Sequence, residues 1–305
     1  MQSTGNRPGA LVAGDRIAVV APSGPVDVEA LAAGLAVLRE AGFEVEAPGN
    51  RPPWRIFAGT DAERLAELQA AIDAPEIRAV WMARGGYGLN RLLPQLRLTG
   101  PAIREKLLIG FSDATALLTA VEAAGGCAIH GPMVAHDLVR EASGSGLAHL
   151  LELAAGKSDW SVAIPTTLRA GDARGPIRGG CLTVLASLAG TPAAAVFSGS
   201  IALLEDHHEA PQRRIDRLLV QLRQSGAFDG VRGIFFGAME GCGPLEEVHE
   251  TILDCLGDLA VPIGFGAPVG HGPSNLAIPL GLEAEMSLRA AEGGQLMGRE
   301  GFRAA

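Results

Sequence analysis

Short apolar runs, each closed by a glycine- or proline-rich turn and followed by apolar residues at helical spacing, organise the first half of the chain. Residues 17–21 form one such run, the turn is Pro22-Ser23-Gly24-Pro25, and Leu31, Leu35 and Leu38 then recur three and four apart. A run too short for a helix and bounded by turn residues reads as a buried strand, whereas the three-to-four spacing marks one face of a helix. The succession returns twice. Residues 79–83 lead through Arg84-Gly85-Gly86-Tyr87-Gly88 into a helix near 89–96, and residues 107–111 turn at Ser112-Asp113 into a helix over 114–124. Strands alternating with helices predict an α/β fold with a parallel sheet covered on both faces. Ligand chemistry then belongs at the carboxyl ends of the strands.

The pattern changes after residue 156. Glycine, serine, aspartate and proline accumulate from 157 to 175, which reads as a linker between a domain over 1–156 and a second, smaller α/β domain over 176–305. There the strands are expected at 201–204, 233–236, 278–282 and 284–288, with one strong helix at 215–224. No charged residue occurs from Gly179 to Leu204, long enough to test as a membrane span. Gly190-Thr191-Pro192 and Ser198-Gly199-Ser200 interrupt it, so a buried helix, a turn and a buried strand are expected instead.

Composition narrows the function. With 305 residues, 48% hydrophobic and 19% charged, the chain can bury two cores and is not a disordered sequence. A formal net charge of -9 argues against nucleic-acid partners, which call for clustered cations. Cys127, Cys181, Cys242 and Cys255 are far apart and lack zinc-ligand spacing, so they read as buried thiols. Residues 1–15 show no secretory pattern, and a cytoplasmic, membrane-independent protein is expected.

Three positions stand where chemistry would be placed. Ser112 directly follows a buried strand and directly precedes a helix, as a nucleophile does on a tight elbow, although capping of that helix is the plainer use of a serine there. The backbone N–H of Asp113 opens the helix and points where an oxyanion would develop, and the glycines around Gly86 offer a second donor. Gly-Phe-Ser-Asp is not Gly-x-Ser-x-Gly, which disfavours an ordinary α/β-hydrolase, and the Gly-rich turn lacks the dinucleotide spacing. Glu205 ends an apolar strand, where a carboxylate needs a partner, and His271 sits in Gly270-His271-Gly272-Pro273 with little bulk around its ring. Together the three supply nucleophile, orienter and base. The competing cluster Glu205-Asp206-His207-His208-Glu209 suggests a metal, but adjacent histidines on an extended segment face opposite ways, so no metal is expected. A competing class is a non-catalytic module whose Gly-rich turns hold a nucleotide or sugar phosphate.

The segments Gly14 to Pro25, Ala83 to Gly88, Ile109-Gly110-Phe111-Ser112-Asp113, Leu204-Glu205-Asp206, Arg214-Ile215-Asp216-Arg217 and Pro268 to Gly272 make the sequence resemble the LD-carboxypeptidases, the muramoyltetrapeptide carboxypeptidase family of serine peptidases. The resemblance implies a flavodoxin- or Rossmann-like N-terminal sandwich and a swivelling β-barrel-like C-terminal α/β domain. It implies a Ser112, His271 and Glu205 triad with Gly86 and Asp113 at the oxyanion, no metal or organic cofactor, and a homodimer that takes a small muropeptide. The expected reaction is release of the terminal D-alanine from tetrapeptides during peptidoglycan recycling. A related branch instead cleaves peptide–nucleotide conjugates and confers immunity. Two departures from the family pattern are Cys181 after Gly179-Gly180 and the His207-His208 pair after the carboxylate.

Overall fold

The computed structural model describes residues 7–99, 101–142, 144–209 and 211–303. One compact unit runs to Lys157 and takes back Ala277–Pro279 and the residues from Gly301 on; the other comprises Ser158–Leu276 and Leu280–Glu300.

In the first unit, β1 (Arg16–Val20), β2 (Glu44–Glu46), β3 (Ile77–Met82), β4 (Leu107–Gly110) and β5 (Ala128–His130) lie side by side in the order β5-β4-β3-β1-β2. Every pairing among them is parallel. Strands β3 and β4 are apolar along almost their whole length and buried, as a sheet covered on both faces requires. Helix Val28–Glu40 begins where the Asp27 side chain accepts the Ala30 N–H, and helix Asp61–Asp73 begins in a capping box between Thr60 and Glu63. The strand order reverses between β1 and β3. At such a switch point the loops leaving neighbouring strands diverge and open a crevice at their carboxyl ends.

The second unit holds β6 (Ser161–Ile164), β7 (Thr166–Arg169), β8 (Gly171–Cys181), β9 (Ile201–His207), β10 (Gly233–Glu240) and β11 (Ile263–Phe265). After β12 (Ile278–Leu280), which lies beside β5 in the first sheet, it adds β13 (Glu283–Arg289) and β14 (Gly293–Gly298). Its eight strands follow the order β6-β14-β13-β8-β9-β10-β11-β7, parallel from β8 to β11 and antiparallel elsewhere. The two ends of that order, β6 and β7, are separated in sequence by Pro165 alone, so the sheet curls on itself like a barrel. Side chains on Ile164 and Leu288 reach Gly264 of β11, where a Cβ would meet them. Helices Leu182–Ser187, Asp216–Gln224 and Leu245–Leu256 cover a core that includes Phe197, Leu204, Leu219, Phe236 and Ile252.

The fold class is the expected one, and several elements differ from expectation. Residues 157–175, expected as a linker, carry β6, β7 and the start of β8. The strand expected at 278–282 ends at Leu280 and joins the first sheet. The helix after Gly88 stops at Leu92 and tightens into a 3₁₀ turn at Leu93–Gln95, where Pro94 has no N–H to continue the α pattern. Helices Asp61–Asp73, Gly146–Ala154 and Leu245–Leu256 were not anticipated. All four cysteines are buried thiols, and among the described residues no helix is long and apolar enough to cross a membrane.

Candidate active site

Strand β4 leads into Phe111, whose backbone is extended, and the chain then turns sharply at Ser112 with φ +59°. A non-glycine residue in that left-handed region costs about 1–2 kcal/mol and persists only where its surroundings impose it. The serine opens the 3₁₀ turn Ser112–Ala114 and the helix Thr115–Ala123, so the strand–turn–helix elbow read from the sequence is present. Gly85 is the glycine packed against it, since a Cβ there would lie 2.9 Å from Ser112 Oγ. Gly86, with φ +111°, would bring a Cβ against Gly24 instead.

Asp113 locks these loops together. Its Oδ2 accepts the Ser23 hydroxyl at 2.6 Å, from the turn after β1, and the Leu89 N–H at 3.0 Å, from the end of the Gly-rich turn after β3. Burial pushes the Asp113 carboxyl above its ordinary value, against the lowering effect of these donors. Gly24 N–H donates to Gly85 O at 3.0 Å and closes the β1 and β3 turns on each other. Arg84 Nη1 donates to Pro25 O at 2.7 Å. The sequence reading centred that turn on Gly86, and it gave Ser23 no part in the site.

In the second unit, Glu205 lies inside β9, paired with Cys181 of β8 at a point where the register with β10 shifts, and has no exposed side-chain surface. A buried carboxylate must be hydrogen-bonded to be tolerated. Its Oε2 stands 2.7 Å from His271 Nδ1 and accepts the His271 backbone N–H at 3.1 Å. The loop carrying His271 is closed by Asn275, whose Oδ1 accepts the Gly270 N–H at 2.8 Å. Gly270 has φ +95°, and a Cβ there would overlap the Glu205 carboxylate. Engaging Nδ1 leaves Nε2 as the ring nitrogen that can exchange a proton with a hydroxyl, the tautomer a general base requires.

The residues after Glu205 divide their tasks. Asp206 is buried and accepts Thr183 N–H at 2.8 Å, Thr183 Oγ1 at 2.7 Å and His207 N–H at 2.9 Å, which ties β9 to the start of helix Leu182–Ser187. The His207 ring stacks on His271, with centroids 3.9 Å apart. Glu209 pairs with Arg214. Among the described residues, no three His, Cys, Asp or Glu side chains converge as metal ligands would.

The structure therefore brings Glu205 and His271 together in one unit, and places Ser112, Asp113 and the Gly85-Gly86 turn together in the other. Comparison with known proteins is consistent across the chain. Residues 17–131 match the family model for the LD-carboxypeptidase N-terminal domain, and residues 174–286 that for the LD-carboxypeptidase C-terminal domain. A Streptomyces coelicolor protein with a provisional carboxypeptidase name is 41% identical over 294 residues, covering 92% of this chain and 93% of that one. The murein tetrapeptide carboxypeptidase of Pseudomonas aeruginosa is 35% identical over 289 residues, 88% of this chain and 92% of the relative. The microcin C7 self-immunity protein MccF of Escherichia coli is 26% identical over 314 residues, 90% of each chain. The crystal structure of muramoyltetrapeptide carboxypeptidase from Oxalobacter formigenes superposes with a TM-score of 0.83 at 29% identity, covering 95% of this chain and 100% of the other.

Proposed function

Because this chain belongs to the LD-carboxypeptidase family, and is a carboxypeptidase, we propose that it releases the terminal D-alanine from muropeptide tetrapeptides with Ser112 as nucleophile, His271 as base and Glu205 as orienter. The observation that carries the reading is the 2.7 Å bond between His271 Nδ1 and a carboxylate with no exposed surface. A charge buried so completely inside a strand is costly unless it holds something, and here it holds an imidazole. The positive φ at Ser112 supports the nucleophile's part, since strained backbone at a strand–helix turn is how an attacking hydroxyl is presented.

In this mechanism Ser112 Oγ attacks the carbonyl that precedes D-alanine while His271 Nε2 takes the hydroxyl proton. Backbone N–H groups of Asp113 and of the Gly85-Gly86 turn receive the charge on the carbonyl oxygen. The C–N bond breaks, His271 returns the proton to the departing amine, and an ester to Ser112 remains. Water, deprotonated by His271, hydrolyses the ester and frees the serine. Glu205 keeps the imidazole in one tautomer and stabilises the imidazolium. The same reading makes the enzyme a cytoplasmic homodimer in peptidoglycan recycling that needs no metal or organic cofactor.

The test is to incubate the purified protein with a tetrapeptide muropeptide and, separately, with an aminoacyl-nucleotide conjugate, and to measure D-alanine and nucleotide release. D-alanine release is expected, falling by about a thousandfold or more in Ser112→Ala and His271→Ala. Cleavage of the conjugate alone would move the chain to the reading suggested by the self-immunity relative. Full D-alanine release by Ser112→Ala would overturn the serine mechanism.

A further inference from the structure

Glu205 holds His271 at the ring Nδ1 and at the backbone N–H. A hydrogen bond at Nδ1 fixes that nitrogen but still permits the ring to tilt about the Nδ1···Oε2 line, and the tilt carries Nε2 away from its target. The His207 ring lies across this motion, with planes 10° from parallel and centroids 3.9 Å apart. That is stacked, near-parallel van der Waals contact between the two imidazoles.

His207 is itself well anchored through its backbone. It is the last residue of β9, paired with Glu240 of β10, and its N–H is held by Asp206 Oδ1 at 2.9 Å. Its side chain is nevertheless 44% exposed, too open to be serving as core. The adjoining His208 ring meets it edge-on at 5.4 Å, which closes a second side. The half-exposed ring thus lies flat on the proposed base.

We propose that His207 is a positioning residue for the general base, a flat wall that holds the His271 imidazole in the plane from which Nε2 can reach the nucleophile's proton. The proposal rests on the reading of His271 as that base. Burial, and then the neighbouring His271, hold His207 below its usual titration range, so at neutral pH the wall is uncharged and does not oppose the imidazolium that forms against it.

Steady-state D-alanine release by wild type, His207→Ala, His207→Phe and His271→Ala tests this. His207→Ala should lose about 10- to 100-fold in kcat with KM little changed, because misplacing a proton-transfer atom by about 1 Å costs on that order. His207→Phe, which keeps a flat ring, should recover to within about threefold of wild type. If His207→Ala does not fold, His207→Leu, bulky but without a flat face, is compared with His207→Phe in its place. Equal kcat in wild type and His207→Ala, with His271→Ala inactive, overturns the positioning role and leaves the triad standing. A Phe variant as slow as the Ala variant also overturns it, since a wall needs only shape. Undiminished activity in His271→Ala would instead remove the base, and this proposal with it.

Discussion

A methyl group at position 270 would occupy the space of the Glu205 carboxylate, on a backbone whose φ of +95° already disfavours any side chain. Gly270→Ala is therefore expected to separate Glu205 from His271 and to lower kcat by about a hundredfold, checked by steady-state D-alanine release with near-unchanged far-UV circular dichroism as the folding control. Ser112 drew notice at a strand–helix turn and His271 in a glycine loop, both where the structure puts them, whereas Glu205, read as ending a strand, lies inside β9. The side chains that support them were not legible. Ser23 meets Asp113 across 90 positions and His271 meets Glu205 across 66, and no local spacing encodes such encounters. Once Glu205 was identified, the His207 departure was visible as an oddity, but only three-dimensional packing shows which ring it covers.

At the level of elements, Asp113 clasps the turns after β1 and β3 to the start of the helix after β4. Its carboxyl is held above the ordinary 3.8 by burial, so the folded chain keeps that proton more readily than the unfolded chain. The stabilisation this provides is complete below 3.8 and is lost as pH rises through the elevated folded value. Asn at 113 does not titrate. The stability of wild type minus that of Asp113→Asn should therefore shrink as pH rises from 3.8 upward, measured by urea denaturation at a series of pH values. A difference that stays level with pH would show that the group is not elevated. Elements with continuous apolar runs, such as β3, β4 and β10, were readable from sequence. Strand β8 was not, because Gly171-Asp172-Ala173-Arg174-Gly175-Pro176 carries the signals of a loop. It is a strand because glycine there permits close approach: a Cβ on Gly175 would meet Gly199 O, and one on Gly179 would overlap Leu203 of β9. Helix Asp61–Asp73 was hidden by its charge, its buried stripe resting on Leu68, Ala71 and Ile72 among acidic neighbours.

Over the whole molecule, the parallel first sheet and the α/β class followed from alternation along the chain and the barrel-like second sheet was implied by the resemblance, while the exact partition followed from neither. A contiguous reading could not foresee that Ala277–Pro279 and the residues from Gly301 return to the first unit, where Ala10 N–H donates to Arg303 O at 2.6 Å. Long-range closure of this kind is set by tertiary packing and leaves no periodic trace. The four cysteines, spread through both units, are all buried, and burial pushes the thiols of Cys242 and Cys255 up to about 11. Cys181 is raised as well. Thiol reagents act on the thiolate, so the native chain should be nearly silent towards a maleimide. Ser112→Cys would then supply a single reactive sulfur at the elbow, and intact-mass spectrometry should find one adduct per chain. A fluorophore installed through that sulfur would sit at the position of the proposed nucleophile and report on its surroundings, with no native cysteine needing to be removed first.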